Sequence, residues 1–304
     1  MSFDRVKAAL AGRPLVQRIA GHFDRPFRHG ADRPKLRQRL QAQAAPSRRY
    51  VILFTPRSGS SRLTDLLTQA GGLSLPGEPF NPAHLPRIAQ QLGARNLQDY
   101  LDLLMRKRAT NGVFGAEITM EHLVRCFGNH RRFLSHYQPT AILFLVRKDL
   151  LDQAISLSRM AQTGESHRID TAQGDTGVDF NYRPQQIRSF LHRLLTMERR
   201  AETLLAESAI EPLRLSYELT SQVAPEELIR VIAGHIGARP ATLLGLDSIH
   251  QKLSDERSAE FHRRFTQDHP SHLAKIAQAR RVTLAQLEWQ QTQCFPATAR
   301  QDRK

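Results

Sequence analysis

Arg57, Ser58, Gly59, Ser60 and Ser61 follow an apolar run rich in branched residues, Val51-Ile52-Leu53-Phe54, and precede helical spacing at Leu63, Leu66 and Leu67. A buried parallel strand, a small-residue turn and a helix start together make an anion cradle. The turn's N–H groups point inward and the helix dipole adds partial positive charge. Gly59 lets the backbone approach an oxygen closely, Ser60 and Ser61 can donate hydroxyl bonds, and Arg57 supplies a fixed cation. The chemistry is phosphate or sulfate binding. The same residues also read as an ordinary turn with a serine helix cap. The nucleotide-triphosphatase loop GxxxxGK[ST] is a poor fit, because Ser60-Ser61-Arg62 follows Gly59 and Phe54 stands where the first glycine belongs.

Residues 141–160 repeat the grammar: an apolar strand from Ile142 to Val146, a charged turn, then a helix. Arg147 sits at the strand's C-terminal end and Ser156 roughly two turns into the helix. In open α/β sheets ligands bind outside the carboxyl ends of the strands, which is where Arg57 and Arg147 both fall. Two such ends suit a ligand with phosphates at two separate points. The plainer alternatives are a surface cation for Arg147 and, for Ser156, a hydroxyl bonded back to its own helix.

With these residues in place, the chain resembles the PAPS-dependent sulfotransferases (PAPS is 3′-phosphoadenosine 5′-phosphosulfate), and within them the bacterial trehalose 2-sulfotransferase family. The matching pieces are TPRSGSSRL at 55–63, PGEPFNP at 76–82, GVFGAEI at 112–118 and FLVRKDLLDQAISLSRMAQTG at 144–164, followed by IEPLRLSYE at 210–218 and KLSDERSAEFHRRF at 252–265. The resemblance implies that Arg57, Ser58, Gly59, Ser60 and Ser61 hold the 5′-phosphosulfate. It implies that Arg147 and Ser156 hold the 3′-phosphate, and that Glu78 is the general base toward an acceptor hydroxyl. It implies no metal, and it admits a homodimer.

Those residue types suit the reaction. Sulfuryl transfer, like phosphoryl transfer, needs positioning and charge stabilisation, so Arg57 and the loop amides would meet charge on the departing phosphate. A sugar hydroxyl needs a base within reach, and Glu78 lies on a stiff Pro-Gly-Glu-Pro turn. Read alone, Glu78 is also a loop carboxylate free to pair with one of many arginines. Three positions depart from the family: Pro79 beside Glu78 where a Tyr is expected, Glu117 where a Lys is expected, and Ser166 or His167 where an aromatic is expected. All three are expected near the acceptor, so donor chemistry transfers more directly than a trehalose acceptor does.

The elements that must position these groups read as α/β: a P-loop-like parallel sheet flanked by helices in a single domain at 48–295, with a basic N-terminal extension at 1–47 and a polar tail at 296–304. Helical patterns cover 83–109, 121–137, 185–208, 225–237, 255–266 and 270–290, and Leu213–Tyr217 reads as a third central strand. The stretch 165–184 is polar and weakly patterned, as a lid, an acceptor loop or a plain connection.

At 304 residues, 40% hydrophobic and 24% charged, the chain can bury a full core. Cys126 and Cys294 are widely spaced and read as reduced thiols, and none of the 13 histidines forms an HExxH or HxxxH pattern. No run of about eighteen apolar residues spans a membrane, and no apolar h-region marks secretion, so the expectation is cytoplasmic.

The net charge is +15, of which residues 1–49, with twelve Arg/Lys against three Asp/Glu, carry +9. A basic face suits a polyanionic donor. The extension also carries Phe3, Val6, Leu10, Leu15, Val16, Ile19, Phe23 and Phe27. It reads either as an interfacial helix drawn to anionic lipid, fitting a glycolipid acceptor, or as a partly ordered arm. Other function classes are a P-loop-type nucleotide kinase, which lacks its Lys and its metal-binding Asp, and a nucleic-acid-binding protein. The second fits the pI of 10.7 but shows no nucleic-acid-binding signature, so no nucleic acid is expected.

Overall fold

A computed structural model describes residues 27, 33–164, 180–248 and 256–296. Four parallel strands form its centre, β1 (Arg48–Phe54), β2 (Val113–Ile118), β3 (Ala141–Val146) and β4 (Leu213–Ser216), in the order β2-β1-β3-β4. Register is set by pairs such as Val51 with Ala116 and with Ile142, and Leu145 with Leu215. Every residue of β2, β3 and β4 is buried, as expected for a parallel sheet covered on both faces.

The helices are α1 (Pro34–Gln41), α2 (Ser60–Ala70), α3 (Leu85–Leu92), α4 (Leu97–Arg108), α5 (Met120–Phe127), α6 (His130–Tyr137), α7 (Leu150–Thr163), α8 (Pro184–Glu207), α9 (Tyr217–Gln222), α10 (Pro225–Ile236), α11 (Glu256–Asp268) and α12 (Pro270–Cys294). One sheet face buries Val51, Leu53, Phe114 and Phe144 against aromatics such as Tyr100, Phe127 and Tyr137. The other buries Ile52, Leu143 and Leu215 against Leu63, Leu66 and Leu67 of α2 and Ile229 and Ile232 of α10. A third cluster joins α7, α8 and α11 through Ile155, Leu191 and Phe265.

The strand–turn–helix units of β1–α2 and β3–α7 agree with the sequence reading. Three details differ. The patterns at 83–109 and 121–137 each resolve into two helices, because the chain turns at Gly93 and at Gly128. VFGAEI, with a glycine interrupting its apolar pattern, is a full strand. A Cβ on Gly115 would stand 2.1 Å from the Tyr50 ring, whose hydroxyl donates to Leu73 O at 2.9 Å. The strand after α8 lies at the sheet edge rather than its centre and stops at Ser216, whose side chain caps α9 by accepting from Leu219 N. That edge is covered by α12, where Gln290 accepts from Arg214 N at 2.5 Å and donates to Pro212 O at 2.9 Å.

Most of the basic extension and the stretch 165–179, with Ser166 and His167, lie outside the described residues. The end of the extension is α1, held by Arg37, which donates to Asp99 and to Gly93 O, both at 2.6 Å. Among the described residues no helix is long and apolar enough to cross a membrane, and Cys126 and Cys294 are free thiols.

Candidate functional site

The first wall of the site is the turn from β1 into α2. Ser58 N donates back to Thr55 O at 3.2 Å, and Arg57 and Gly59 both take positive φ, 67° and 85°. The helix then begins with Leu63 N donating to Gly59 O at 3.2 Å. Amides of the first helical turn have no intrahelical acceptor, and α2 has no acidic residue there to oppose an anion. The Ser58 hydroxyl is buried with no hydrogen-bond partner. From α7, Gln153 Nε2 donates to Thr55 Oγ1 at 2.9 Å and to Pro56 O at 2.7 Å, fixing the turn's entry.

The second wall is the turn from β3 into α7, which begins with Asp149 capping Asp152 N at 2.8 Å. Arg147, only 8% exposed, donates through Nη2 to Asp152 Oδ2 at 3.0 Å, and its guanidinium lies 4.8 Å from the centre of the Tyr217 ring. Its Nε is buried without a partner. One turn further along α7, Ser156 Oγ accepts from Arg57 Nε at 3.0 Å. Ser156 is thus joined to the other strand end, and Arg57 and Arg147 converge. Burial first, and then the charge of Arg147, lowers the Arg57 guanidinium from its usual value. Two cations brought together where water is largely excluded are the arrangement an anion-binding centre would need.

The third wall carries the carboxylates. Gly77 O accepts from Glu117 N at 2.7 Å and Pro79 O from the Tyr100 hydroxyl at 2.6 Å, so the Pro-Gly-Glu-Pro turn is docked on the end of β2. Glu78 Oε2 accepts from Asn81 Nδ2 at 3.0 Å and stands 3.7 Å from His122 Nδ1, with the carboxylate side chain one-third exposed. Burial lowers His122 from its ordinary value, against the opposite pull of the Glu78 charge. Glu117, expected near the acceptor, is buried against α2, where Thr64 and Ser60 hydroxyls bond to it. Burial, with a smaller contribution from Glu78, pushes its carboxyl up to about 7.

A model of the Stf0 sulphotransferase family matches residues 49–268. The chain belongs to that family. No curated protein matches it. The matched span takes in all three walls and ends with α11, before α12 begins.

Several residues of the site were not singled out by sequence. Tyr217 reads as the end of a strand, yet its ring meets both strand-end turns, against Gly59 and Arg147. Gln153 precedes Ser156 by three residues, so helical spacing alone puts both on one face of α7. Glu218 accepts from Lys148 N at 3.0 Å and Asp149 N at 3.3 Å, a contact with no sequence signal. Asp149, Asp152 and His262 bring three ligand atoms within 4.8 Å of one another, although Asp152 is engaged by Arg147 and Asp149 caps α7.

Proposed function

We propose that this sulfotransferase moves a sulfuryl group from PAPS to a hydroxyl of a carbohydrate or glycolipid, with Glu78 as general base. The observation that carries the reading is the convergence of Arg57 and Arg147 from two neighbouring strand ends, bridged by the Arg57–Ser156 bond. The buried, unpartnered Ser58 hydroxyl and Arg147 Nε fit an anion at this point. PAPS supplies the activated sulfuryl group and leaves as adenosine 3′,5′-bisphosphate. Arg57 with Ser58, Gly59, Ser60 and Ser61 would bind the 5′-phosphosulfate and stabilise charge on the departing phosphate oxygen. Arg147 and Ser156 would recognise the 3′-phosphate. Glu78 Oε, oriented by Asn81 and partly open to solvent, takes the proton as the acceptor oxygen bonds to sulfur and the S–O bond to the phosphate breaks.

A glycolipid acceptor would give the basic extension a role at an anionic membrane surface, on the cytoplasmic side. Unchanged liposome binding after deletion of residues 1–45 would end that part of the reading.

The test is calorimetric binding of adenosine 3′,5′-bisphosphate, AMP and ATP with magnesium to wild type, Arg57→Ala and Arg147→Ala. The expected result is a preference for the bisphosphate, with tight bisphosphate binding lost in both variants; in Arg147→Ala it falls to the level of AMP, whose affinity is spared. Indifference to the 3′-phosphate, or a preference for ATP with magnesium, overturns the donor assignment.

A further inference from the structure

We propose that Arg280, on α12 beyond the span shared with the family, is a positioning residue that tunes the nucleotide site toward a 3′-phosphate. It does so by fixing the backbone that carries Arg147, and the inference rests on the PAPS reading above. Residues 147–149 form the turn between β3 and α7, where backbone groups leave the strand ladder before the helix can satisfy them. Two remote side chains satisfy them instead. Arg280 donates through Nη2 to Arg147 O at 2.6 Å and through Nη1 to Lys148 O at 2.7 Å. Glu218 takes the amides of Lys148 and Asp149.

Arg280 is itself held by Glu198 of α8, through Nε to Oε2 at 2.7 Å and Nη2 to Oε1 at 2.9 Å. The two side chains are only 3% and 2% exposed, so water does not compete for these bonds. A guanidinium spreads its donors over a rigid fork and can span a carboxylate and two carbonyls together; a lysine ammonium, with its donors on one atom, cannot. The clamp therefore fixes where the Arg147 side chain starts, while Asp152 and the Tyr217 ring fix where it ends. Charge-assisted recognition of a phosphate is sensitive to displacements on this scale.

The experiment measures binding of adenosine 3′,5′-bisphosphate and of AMP to the full chain by calorimetry. It compares wild type, Arg280→Lys, the paired replacement Glu198→Leu/Arg280→Met, and Arg147→Ala with and without Arg280→Lys. Thermal melts check folding, and Arg280→Lys carries the result if the paired replacement does not fold. The expected result is an about tenfold loss of bisphosphate affinity with less than about twofold change for AMP, the size of one weakened charged hydrogen bond. Adding Arg280→Lys to Arg147→Ala should then weaken bisphosphate binding no further. Cooperatively melting variants whose two affinities stay at wild-type values, or fall in parallel, overturn the inference and leave the donor assignment standing. A wild type indifferent to the 3′-phosphate removes both.

Discussion

A Cβ placed on Gly59 would stand 2.7 Å from Cδ2 of Tyr217. The ring packs against the β1–α2 turn and also receives the Arg147 guanidinium, so the two strand-end turns share one aromatic contact. Gly59 also sits at a φ of 85°, where an L side chain costs about 1–2 kcal/mol by itself. Gly59→Ala should lower the melting temperature and weaken adenosine 3′,5′-bisphosphate binding by at least about tenfold. Gly59→Ala/Tyr217→Ala removes the clash but not the backbone strain, so it should regain little of that affinity. Full recovery in the double variant, measured by calorimetry, would show that the glycine is needed for space alone.

Glu78→Gln keeps the shape of the turn and the Asn81 contact but loses a proton acceptor. Steady-state kinetics should show kcat down by about 10²–10⁴, the usual range for a general base, with bisphosphate affinity unchanged. A variant that keeps its kcat would move the base elsewhere, and His122, 3.7 Å away, is the next group to substitute.

Glu117 makes stability depend on pH in a defined direction. Its carboxyl is raised from 4.5 to about 7 in the folded chain, so between those values the folded state holds a proton that the unfolded state has lost. This contribution is fully present below the unfolded value, falls as pH rises through the window and levels off above it. Glu117→Gln should remove that slope and stabilise the protein at pH 8 by up to about 3 kcal/mol relative to wild type. Denaturant melts at pH 5 and pH 8 read the difference, and parallel behaviour of the two proteins would rule Glu117 out as the titrating group.

The buried Arg280–Glu198 pair should respond asymmetrically. Arg280→Met alone leaves a desolvated carboxylate and two unsatisfied carbonyls, at a cost of about 3–5 kcal/mol. Replacing both partners by apolar residues should be milder, because no charge is left buried and only the two carbonyls lose their donor. Equal destabilisation by the single and the paired replacement in urea melts would show that the carbonyl bonds, rather than the stranded charge, dominate.

Much of the site was legible because its parts are local in sequence. A branched apolar run, a glycine turn with serines and a leucine-spaced helix lie within residues 51–67, and the same grammar recurs around Arg147. The helix breaks at Gly93 and Gly128 were readable in principle, since glycine interrupts an apolar period, but neither stretch betrays the break by its leucines and aromatics alone. Strand β2 escaped notice because Gly115 interrupts its pattern, and that glycine is explained by the Tyr50 ring from the neighbouring strand.

What the sequence by itself determined is the chemistry on offer: two arginines at strand ends, a small-residue anion loop and a carboxylate on a stiff turn. Tertiary structure decided which groups meet. Ser156 bonds to Arg57, ninety-nine residues away in the chain, while Arg147 is held by Asp152 and Tyr217. Glu117 turns inward to α2, because the Cβ direction on β2 and the packing of α2 fix its carboxyl against Ser60 and Thr64. Arg280 reaches the Arg147 turn only because α12 folds back along the edge of the sheet. Residue types and short spacings set local conformation and available chemistry. Partners far apart in the chain are set by the burial of whole faces, which no short window records.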